Sequence, residues 1–580
     1  MHNAQYISRL ILTQINIRTA DMGNLDEFLT GENTKKNFEA TKPNSTNSSI
    51  IKLDITCLEK ILEYFSGDLA TLFKCLLVNR LWCKIVVPLL WSNPFEYLKY
   101  QKHDHGWQLI RTYLSCLPEE EKQIVNKWIL QSDLRKPLFD YPIYLKCLDT
   151  FGFQEAMTKW KRYHWKTVWE RLGHFDMDKA IGDILFRRCK GLDSLYIIFF
   201  AYTQNIAYFE EPLNGLTKLQ TCKIIHDFQG RYYNYTENRE QVTLNDNFKI
   251  ISKYAHNIKY LEINLPENRS GRTGQELVKL LKNQKNLEEF VVREFWDISL
   301  AADIFDTLKL QCNFLRALSF TRLTHFHEKL SQLLNSCPNL KILRFLEPDI
   351  REDSEVPNFN CKLTNFCVWG KPMVSHFIIN PDITFNLDIV KSIIESSVST
   401  LTKLVLGTFT KELCSTIFQC TKLKFLIIQA KEDISSLLPL YLSMSDLQQL
   451  TLFGKPKNYF NQQTLLKFSN SLPSTLHHLD LLLEISPKDL MVLLSNCTSP
   501  LRKISLHHQQ NIFDDILLFL KKYIQMNKGF SELRYIIDNK VYGEVYLDPI
   551  LQALRSIPKL KYVLGKNNFY PYYFQDTGYF

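Results

Sequence analysis

A six-residue pattern recurs along most of the chain and constrains its fold more than any other feature. The pattern is an apolar residue, two variable residues, an apolar residue, one variable residue and a final apolar residue. Each copy follows a stretch of helical periodicity that often ends in Cys, Asn or Pro. A dozen clear copies begin at Leu192, Leu219, Ile258, Leu287, Leu315, Leu340, Leu363, Leu401, Leu423, Leu447, Leu476 and Leu501, and weaker copies begin at Leu533 and Leu560.

The separations between copies are mostly in the twenties of residues, which is the period of leucine-rich repeats. The last two apolar positions of each copy would point inward from a short strand, and the strands would stack in parallel with the helices outside them. The sequence therefore predicts an α/β leucine-rich-repeat solenoid (a horseshoe) over residues 191–568. Longer gaps before Ile258 and Leu401 predict insertions.

Composition favours a folded chain without a nucleic-acid or membrane partner. The 580 residues are 45% hydrophobic and 23% charged, with a formal net charge of +9. The basic residues are scattered, whereas nucleic-acid surfaces usually cluster them. No apolar run approaches the ~20 residues of a membrane helix. The 14 Cys form no regular framework of the kind used by small secreted proteins, so we expect a cytoplasmic or nuclear protein.

The chain before the repeats divides into three parts, and a short aromatic segment follows the repeats. Residues 1–48 are polar and rich in turn formers, which predicts a flexible tail. Residues 49–95 carry three apolar helical patterns. Residues 96–190 have helical character and several Trp residues but no repeat, which predicts a helical linker block. Residues 569–580 form an aromatic C-terminal tail.

Within residues 49–95, Leu58, Ile61, Leu62 and Phe65 have the spacing of one helix face. Ser66-Gly67-Asp68 interrupts this first helix, and a second runs through Leu72 and Leu76. A third segment ends before Pro88. Three short helices make a very small core, so we expect the unit to complete its core against a partner.

Residues 53–95 resemble an F-box. In that family an apolar helix is followed by a Leu-rich second helix and by Val, Asn or Cys, a basic residue and Trp; here Val78-Asn79-Arg80-Leu81-Trp82 matches this last part. Asp54 stands where the family has Pro after the first Leu, and it could cap the first helix instead. Together with the downstream repeats, the motif is similar to the F-box/leucine-rich-repeat proteins.

This resemblance implies a substrate-recognition subunit of an SCF-type ubiquitin ligase. The F-box would bind a Skp-family adaptor, which connects it to a cullin-RING core, and the repeats would hold the protein to be ubiquitinated. The chain would work by proximity and supply no catalytic residue. The expected adaptor-binding residues are Leu53, Leu58, Ile61, Leu62, Phe65, Leu72, Leu76, Val78 and Trp82.

No motif for independent chemistry stands out. Glycine-rich phosphate loops are absent, because Gly370-Lys371 and Gly454-Lys455 lack the upstream glycine of a P-loop. Neither the paired His residues nor Cys361/Cys367 have the spacing of a zinc site. We therefore expect no enzyme activity, no cofactor and no metal.

Side chains that flank the inward positions of a strand should face the concave surface. In the middle repeats these are apolar or aromatic with one Arg, which favours a protein-binding patch. They are Ile342, Arg344, Leu346, Trp369, Phe425, Ile427 and Phe453. The alternative is that a loop, the C-terminal tail or the next repeat covers them.

Two other functions stay open. One is a non-catalytic repeat scaffold whose F-box is degenerate and which acts outside any ligase. The other is a nucleic-acid-binding solenoid, which would need a basic concave stripe and a steep dependence on salt.

Overall fold

The computed structural model describes residues 55–96, 106–120, 122, 137–163, 177–199, 206, 213–226, 237–264, 272–293, 298–323, 328–348, 356–369, 386–407, 410–429, 444–453, 462–482, 485–507, 514–527, 529–538 and 560–565. Leu53, Asp54 and both predicted tails, 1–48 and 569–580, lie outside these ranges. The chain forms two compact units. The first comprises Met1–Ile263 and Ser270–Leu287, and the second Asn264–Arg269 and Glu288–Phe580.

The first unit begins with three helices, α1 (Ile55–Glu63), α2 (Leu69–Leu76) and α3 (Arg80–Leu90). Asp68 caps α2, because its carboxylate accepts the Thr71 backbone N–H at 3.1 Å. Asn79 caps α3 in the same way, accepting the Trp82 N–H at 3.0 Å. Such caps satisfy backbone donors that a helix start leaves without partners.

The third helix does not end before Pro88, as the sequence had predicted, but continues to Leu90. A proline in a helix removes only the hydrogen bond that its own N–H would make to the residue four positions earlier, although its ring also crowds that turn. Pro88 lies two residues before the end of α3, so the disturbance falls in the last turn.

The rest of the first unit alternates helices with parallel strands. Its further helices are α4 (Trp107–Ser115), α5 (Thr150–Tyr163), α6 (Met177–Arg188), α7 (Glu237–Tyr254) and α8 (Arg272–Lys282). Its strands are β1 (Cys147–Asp149), β2 (Ser194–Phe199), β3 (Thr221–His226) and β4 (Tyr260–Asn264), each parallel to the next. Short 3₁₀ turns occupy Tyr141–Tyr144 and Asn214–Lys218.

Strand β1 lies inside residues 96–190, the block in which no repeat was predicted. Its register with β2 pairs Cys147 with Ser194, so Leu145 stands where Leu192 begins the next copy. The third apolar position of this copy is Thr150, and the buried Asp149 precedes it. Thr150 breaks the pattern at its last apolar position, which is why the first repeat was missed.

The second unit contains β5 (Glu289–Arg293), β6 (Ala317–Thr321), β7 (Ile342–Leu346), β8 (Asn365–Trp369), β9 (Lys403–Leu406), β10 (Phe425–Gln429), β11 (Gln449–Phe453), β12 (His478–Leu482), β13 (Lys503–His507), β14 (Glu532–Asp538) and β15 (Leu560–Gly565). Each pairs in parallel with the next strand in the chain. An open parallel sheet in strict chain order is the arrangement of an α/β solenoid.

Helices connect most of these strands, as the predicted repeat requires. They are α9 (Ile298–Leu308), α10 (Glu328–Ser336), α11 (Leu387–Ser397), α12 (Lys411–Phe418), α13 (Gln462–Ser471), α14 (Pro487–Asn496) and α15 (Asp514–Met526). The clear copies of the pattern all place a strand two residues after their first apolar residue. The weaker copy assigned to Leu533 instead begins at the buried Phe530, because Glu532 pairs with Lys503.

Within each unit, the same backbone contact joins most repeats to the next. The carbonyl of the residue just before a strand accepts the N–H groups of two successive residues at the start of the following strand. Lys424 O, for example, accepts Gln448 N at 2.9 Å and Gln449 N at 3.0 Å. The same pair of bonds is donated to Lys146, Asp193, Gln220, Glu288, Arg316, Lys341, Thr364, Thr402, Gln448, His477 and Arg502. We call this series the carbonyl ladder.

Within a strand, alternate side chains take opposite faces of the sheet. In β7, Leu343 and Phe345 are fully buried, while their neighbours are half-buried. The ring of Phe320 in β6 contacts Phe305 of α9 with centroids 5.7 Å apart, so this face packs on the helices. We call it the helix face and the other the open face. Burying one such side chain is worth roughly 1.5–3 kcal/mol.

The carbonyl ladder begins immediately after the three N-terminal helices. Ser92 O accepts Lys146 N at 3.0 Å and Cys147 N at 2.8 Å. An aromatic cluster fills the space beside this contact, with Trp91, Phe95, Tyr113, Tyr141 and Phe153 in ring-to-ring contact. The helices are thus packed directly on the first repeat.

A substitution at Gly152 tests how closely the three helices pack on the first repeat. A Cβ at this position would lie 2.2 Å from the Phe95 carbonyl oxygen, so the backbone would have to shift. We expect Gly152→Ala to lower the free energy of unfolding by about 1–3 kcal/mol, although Ala alone favours a helix by roughly 0.5–1 kcal/mol. Urea denaturation followed by circular dichroism measures the change.

Gly67→Ala is the matched control, because a Cβ there meets no atom within 4 Å. It should leave the unfolding midpoint nearly unchanged. Equal midpoints for the two variants would contradict the close packing.

Candidate functional site

The residues predicted to bind an adaptor divide into buried and exposed groups. Leu58, Leu62 and Leu72 form the core of the three helices with Ile85 and Val86. The remaining described ones either pack partly against that core or are exposed: Phe65, Leu76 and Trp82 pack against it, and Ile61 and Val78 are exposed. Burial assigns the first group to folding and leaves the exposed pair available for contact.

Besides Ile61 and Val78, the three helices expose four apolar residues that were not among the predicted adaptor-binding residues. Among the described residues, six of the fourteen exposed large apolar side chains lie within residues 55–81. They are Ile55, Ile61, Tyr64, Leu77, Val78 and Leu81. Tyr64 is 89% exposed and Leu77 67%. We call these six side chains the docking patch; such a concentration makes them a candidate surface for binding another protein.

Local structure explains why these side chains point outward. Ile61 lies on α1, and Tyr64 directly follows the last residue of that helix, with its N–H still bonded to the Lys60 carbonyl at 3.3 Å. The two side chains, three residues apart, therefore lie on one side, next to the face that buries Leu58 and Leu62. Leu77 and Val78 lie between α2 and the cap of α3 at Asn79. The short connection has no room to fold back over its own side chains, so both remain in solvent.

The residues predicted on the concave wall lie on the open face of the second unit, but not all are exposed. Ile342, Arg344, Leu346 and Phe425 are half-buried. Trp369, Ile427 and Phe453 are buried, with exposed fractions of 7%, 0% and 2%. The expected exposure is therefore wrong for these three residues. For the four half-buried residues, the binding role stays a prediction.

The three buried residues belong to a second core on the open face. They pack with Cys367, Val405 and Leu482, and Leu346 contacts the edge of the cluster. The Trp369 and Phe453 rings meet edge to face with centroids 5.1 Å apart. Strand alternation predicts which face a side chain takes, but not whether that face is covered, and this limit accounts for the error.

Farther along the open face, a buried polar cluster surrounds Asp480. Thr451 Oγ1 donates to its carboxylate at 2.8 Å and Gln449 Nε2 at 3.1 Å. His478 Nε2 approaches the second oxygen at 2.9 Å, an ion-pair contact without the direction of a good hydrogen bond. Thr451, Asp480 and Ser505 stand side by side on adjacent strands and are fully buried.

Opposing effects act on the Asp480 carboxyl. Burial disfavours its charge, but contact with His478 and hydrogen bonds from Ser505 and Thr451 outweigh burial and hold its pKa below the ordinary value of 3.8. A buried carboxylate needs several hydrogen-bond donors around it, and we therefore assign Asp480 a structural role on the open face. The sequence analysis did not single out this residue, although an Asp at an open-face position of a repeat strand was a visible signal.

Beside this cluster, a groove of about 590 Å³ follows the beginning of strands β10–β14. Its lining is basic and aromatic and contains no carboxylate. It consists of Phe425, Gln448, Gln449, His477, His478, Arg502, Lys503, Gly529 and Ser531. Three successive repeats each contribute an adjacent pair of these residues, and Phe425, Gly529 and Ser531 complete the lining, so the groove is a direct product of the repeat geometry.

Several cysteines of the repeats are buried thiols. Burial raises the pKa of the Cys337, Cys367 and Cys420 thiols to about 12, so they remain protonated at neutral pH. No group of three or more metal-ligating side chains occurs among the residues that the structure describes. Across the same residues, no helix is both long enough and apolar enough to cross a bilayer.

Comparisons with known proteins add little to this description. No family model matches the chain, and no curated protein does either. Among solved structures, the crystal structure of the Rad7 and Elc1 complex in yeast aligns with 55% of this chain and 77% of that chain, at 16% identity and a TM-score of 0.34.

Replacing Asp480 by Ala should destabilise the protein by about 2–4 kcal/mol, because buried donors from neighbouring strands lose their acceptor. Thermal unfolding of the two proteins measures the loss. Asp446→Ala removes an exposed carboxylate one repeat earlier and should have almost no effect. Equal effects would contradict the structural role of Asp480.

The contribution of Asp480 should also depend on pH. Because its folded pKa is lowered, its stabilisation is fully present above the ordinary value of 3.8 and is lost as the pH falls through the lower folded value. Asp480→Asn should therefore differ from the wild type at neutral pH and approach it only below about pH 4. A difference that is unchanged down to strongly acid pH would contradict the lowered pKa.

Proposed function

We propose that this chain is a substrate-recognition subunit of a cullin-based ubiquitin ligase. Its three N-terminal helices act as an F-box that binds a Skp-family adaptor, and its repeats bind the protein to be ubiquitinated. The observation that carries the proposal is the docking patch, six exposed apolar side chains on a three-helix unit that precedes a repeat array. Exposed apolar surface of this kind is costly unless a partner covers it.

The internal energetics of the three helices support this role. Their core consists of five buried apolar residues with partly buried neighbours. At roughly 1.5–3 kcal/mol for each fully buried side chain, so small a core barely offsets the entropy of ordering three helices. The aromatic cluster stabilises the three helices where they pack on the first repeat, and an adaptor bound to the docking patch would stabilise them further.

The contact at Ser92 also bears on the orientation of the three helices against the first repeat. Because the carbonyl ladder starts there and Phe95 is fully buried, the helices cannot swing freely against the first repeat. An adaptor bound to α1–α3 would thus have a fixed orientation to the first repeats. Ligation by proximity needs such an orientation, since it raises the local concentration of a substrate lysine near the charged enzyme.

The chain itself needs no catalytic residue in this scheme, and we propose that it has none. Ubiquitin transfer would be performed by the RING protein and the conjugating enzyme on the cullin. Asp54 stands where the F-box family has Pro. The alternative function is therefore that of a repeat scaffold with a degenerate F-box. Binding of an adaptor separates the two.

We expect the double substitution Leu77→Glu and Val78→Glu to weaken binding of a purified Skp-family adaptor by roughly tenfold or more, because two carboxylates would be buried at an apolar contact. Both side chains are more than half exposed, so the fold should survive. Biolayer interferometry with immobilised adaptor measures the dissociation constant, and circular dichroism checks folding.

Leu310→Glu is the control, since Leu310 is 66% exposed but belongs to the second unit. It should bind the adaptor like the wild type. If the wild type does not bind and Asp54→Pro restores binding, the scaffold alternative is correct. Binding that is equal in all variants would mean that the docking patch is not the contact surface.

A further inference from the structure

The groove along the beginning of β10–β14 has a chemistry that the proposed function leaves unspecified. The three central repeats each contribute two adjacent positions to it: the residue whose carbonyl belongs to the ladder and the first residue of the strand. In β12 these are His477 and His478, and in β13 they are Arg502 and Lys503. The backbone groups are engaged in the ladder, so the side chains define what the groove can bind.

The charges of the groove are one-sided. Arg502 and Lys503 are cationic, and no carboxylate lines the groove. Arg502 is exposed, and among the described residues no carboxylate lies within ion-pair distance of its guanidinium. Lys503 is 45% exposed and only 4.0 Å from Glu532, which also pairs with Arg534.

The same excess continues along the start of the preceding strands. Lys341, Lys403 and Lys424 occupy the corresponding two positions in β7, β9 and β10. From Arg316 to Lys503, no acidic residue stands at either position of any described strand. Carboxylates appear at the two ends of this series, at Glu288/Glu289 and Glu532. The basic edge is therefore bounded and not a general property of the surface.

We propose that this groove binds an acidic, extended peptide segment of the substrate, with Arg502 and Lys503 pairing with its carboxylates. The inference rests on the proposed function for the word substrate, but not for the binding itself. Phe425 and the methylene stems of the basic side chains supply the apolar floor that a peptide needs.

The dimensions of the groove suit a peptide. Neighbouring strands lie ~4.8 Å apart, so the four steps from β10 to β14 span roughly 19 Å, the length of about six extended residues. An extended peptide of about six residues would present about three side chains to the groove, because successive side chains alternate in direction. A nucleic acid would require more consecutive cations than two in this span, together with exposed stacking rings, whereas Phe425 is half-buried.

Fluorescence anisotropy tests the proposal directly. The probe is a labelled short peptide of alternating Glu and Gly, compared with its Gln counterpart, with a phosphoserine counterpart and with a single-stranded oligonucleotide. The full-length protein should bind the Glu peptide at low salt and release it as salt rises, since exposed ion pairs are screened. Arg502→Gln with Lys503→Gln should weaken this binding by roughly tenfold.

Lys521→Gln with Lys522→Gln is the matched control, because it removes the same charge from α15 away from the groove. It should bind the Glu peptide like the wild type. Equal binding of the Gln peptide, equal loss in the control variant, or binding only of the phosphoserine peptide or the oligonucleotide would each overturn the proposal.

Adaptor binding by the Arg502/Lys503 variant distinguishes this inference from the proposed function. The docking patch lies in the other unit, so the variant should retain adaptor affinity. A protein that binds the adaptor but not the Glu peptide would overturn only the peptide site. A protein that binds the Glu peptide but not the adaptor would overturn only the ligase role.

Discussion

A single backbone carbonyl per repeat, accepting two N–H groups from the next, is the contact on which the rest of this structure depends. It recurs from Ser92 to Arg502 with N–O distances of 2.7–3.1 Å. The contact sets the register of each strand pair within a unit, and a one-residue slip would turn every side chain to the opposite face. Constant register keeps Leu and Phe on the helix face and leaves the open face free to vary.

The side chains of the open face of the second unit form three different features. Its middle strands bury an apolar core around Trp369 and Phe453, and β11–β13 bury a polar cluster around Asp480. The beginning of β10–β14 forms a basic groove. The first two features stabilise the sheet, and only the third presents charged side chains to a ligand. The chemistry of recognition thus concentrates where the ladder carbonyls lie, at the edge of the sheet.

The repeats were predictable from the sequence because each copy had to bury the same positions. The strands of the clear copies begin two residues after the predicted start of each motif, as at Leu340 and Ile342. The first repeat was missed because Thr150 replaces an apolar residue, although the carbonyl of Ser92 still accepts the N–H groups of Lys146 and Cys147. Periodicity reports burial, whereas the ladder is made by the backbone and leaves no signature in the side chains.

The candidate surfaces were less predictable for a different reason. The F-box pattern located the docking region, but Leu58, Leu62 and Leu72 are core residues, and Tyr64 and Leu77 were exposed without being predicted. Apolar spacing identifies both the inside of a small helical unit and the side chains it leaves for a partner. Similarly, Trp369 and Phe453 have the right strand position for the open face, but their burial depends on distant parts of the chain.

The central claim is that this chain brings together an adaptor, bound by its three N-terminal helices, and a protein bound by its repeats. The most direct measurement is multi-angle light scattering on the full-length chain mixed with a purified Skp-family adaptor and a cullin-RING core. The account predicts one assembly containing all of them, formed only when the adaptor is present. A chain that elutes alone under these conditions would contradict it.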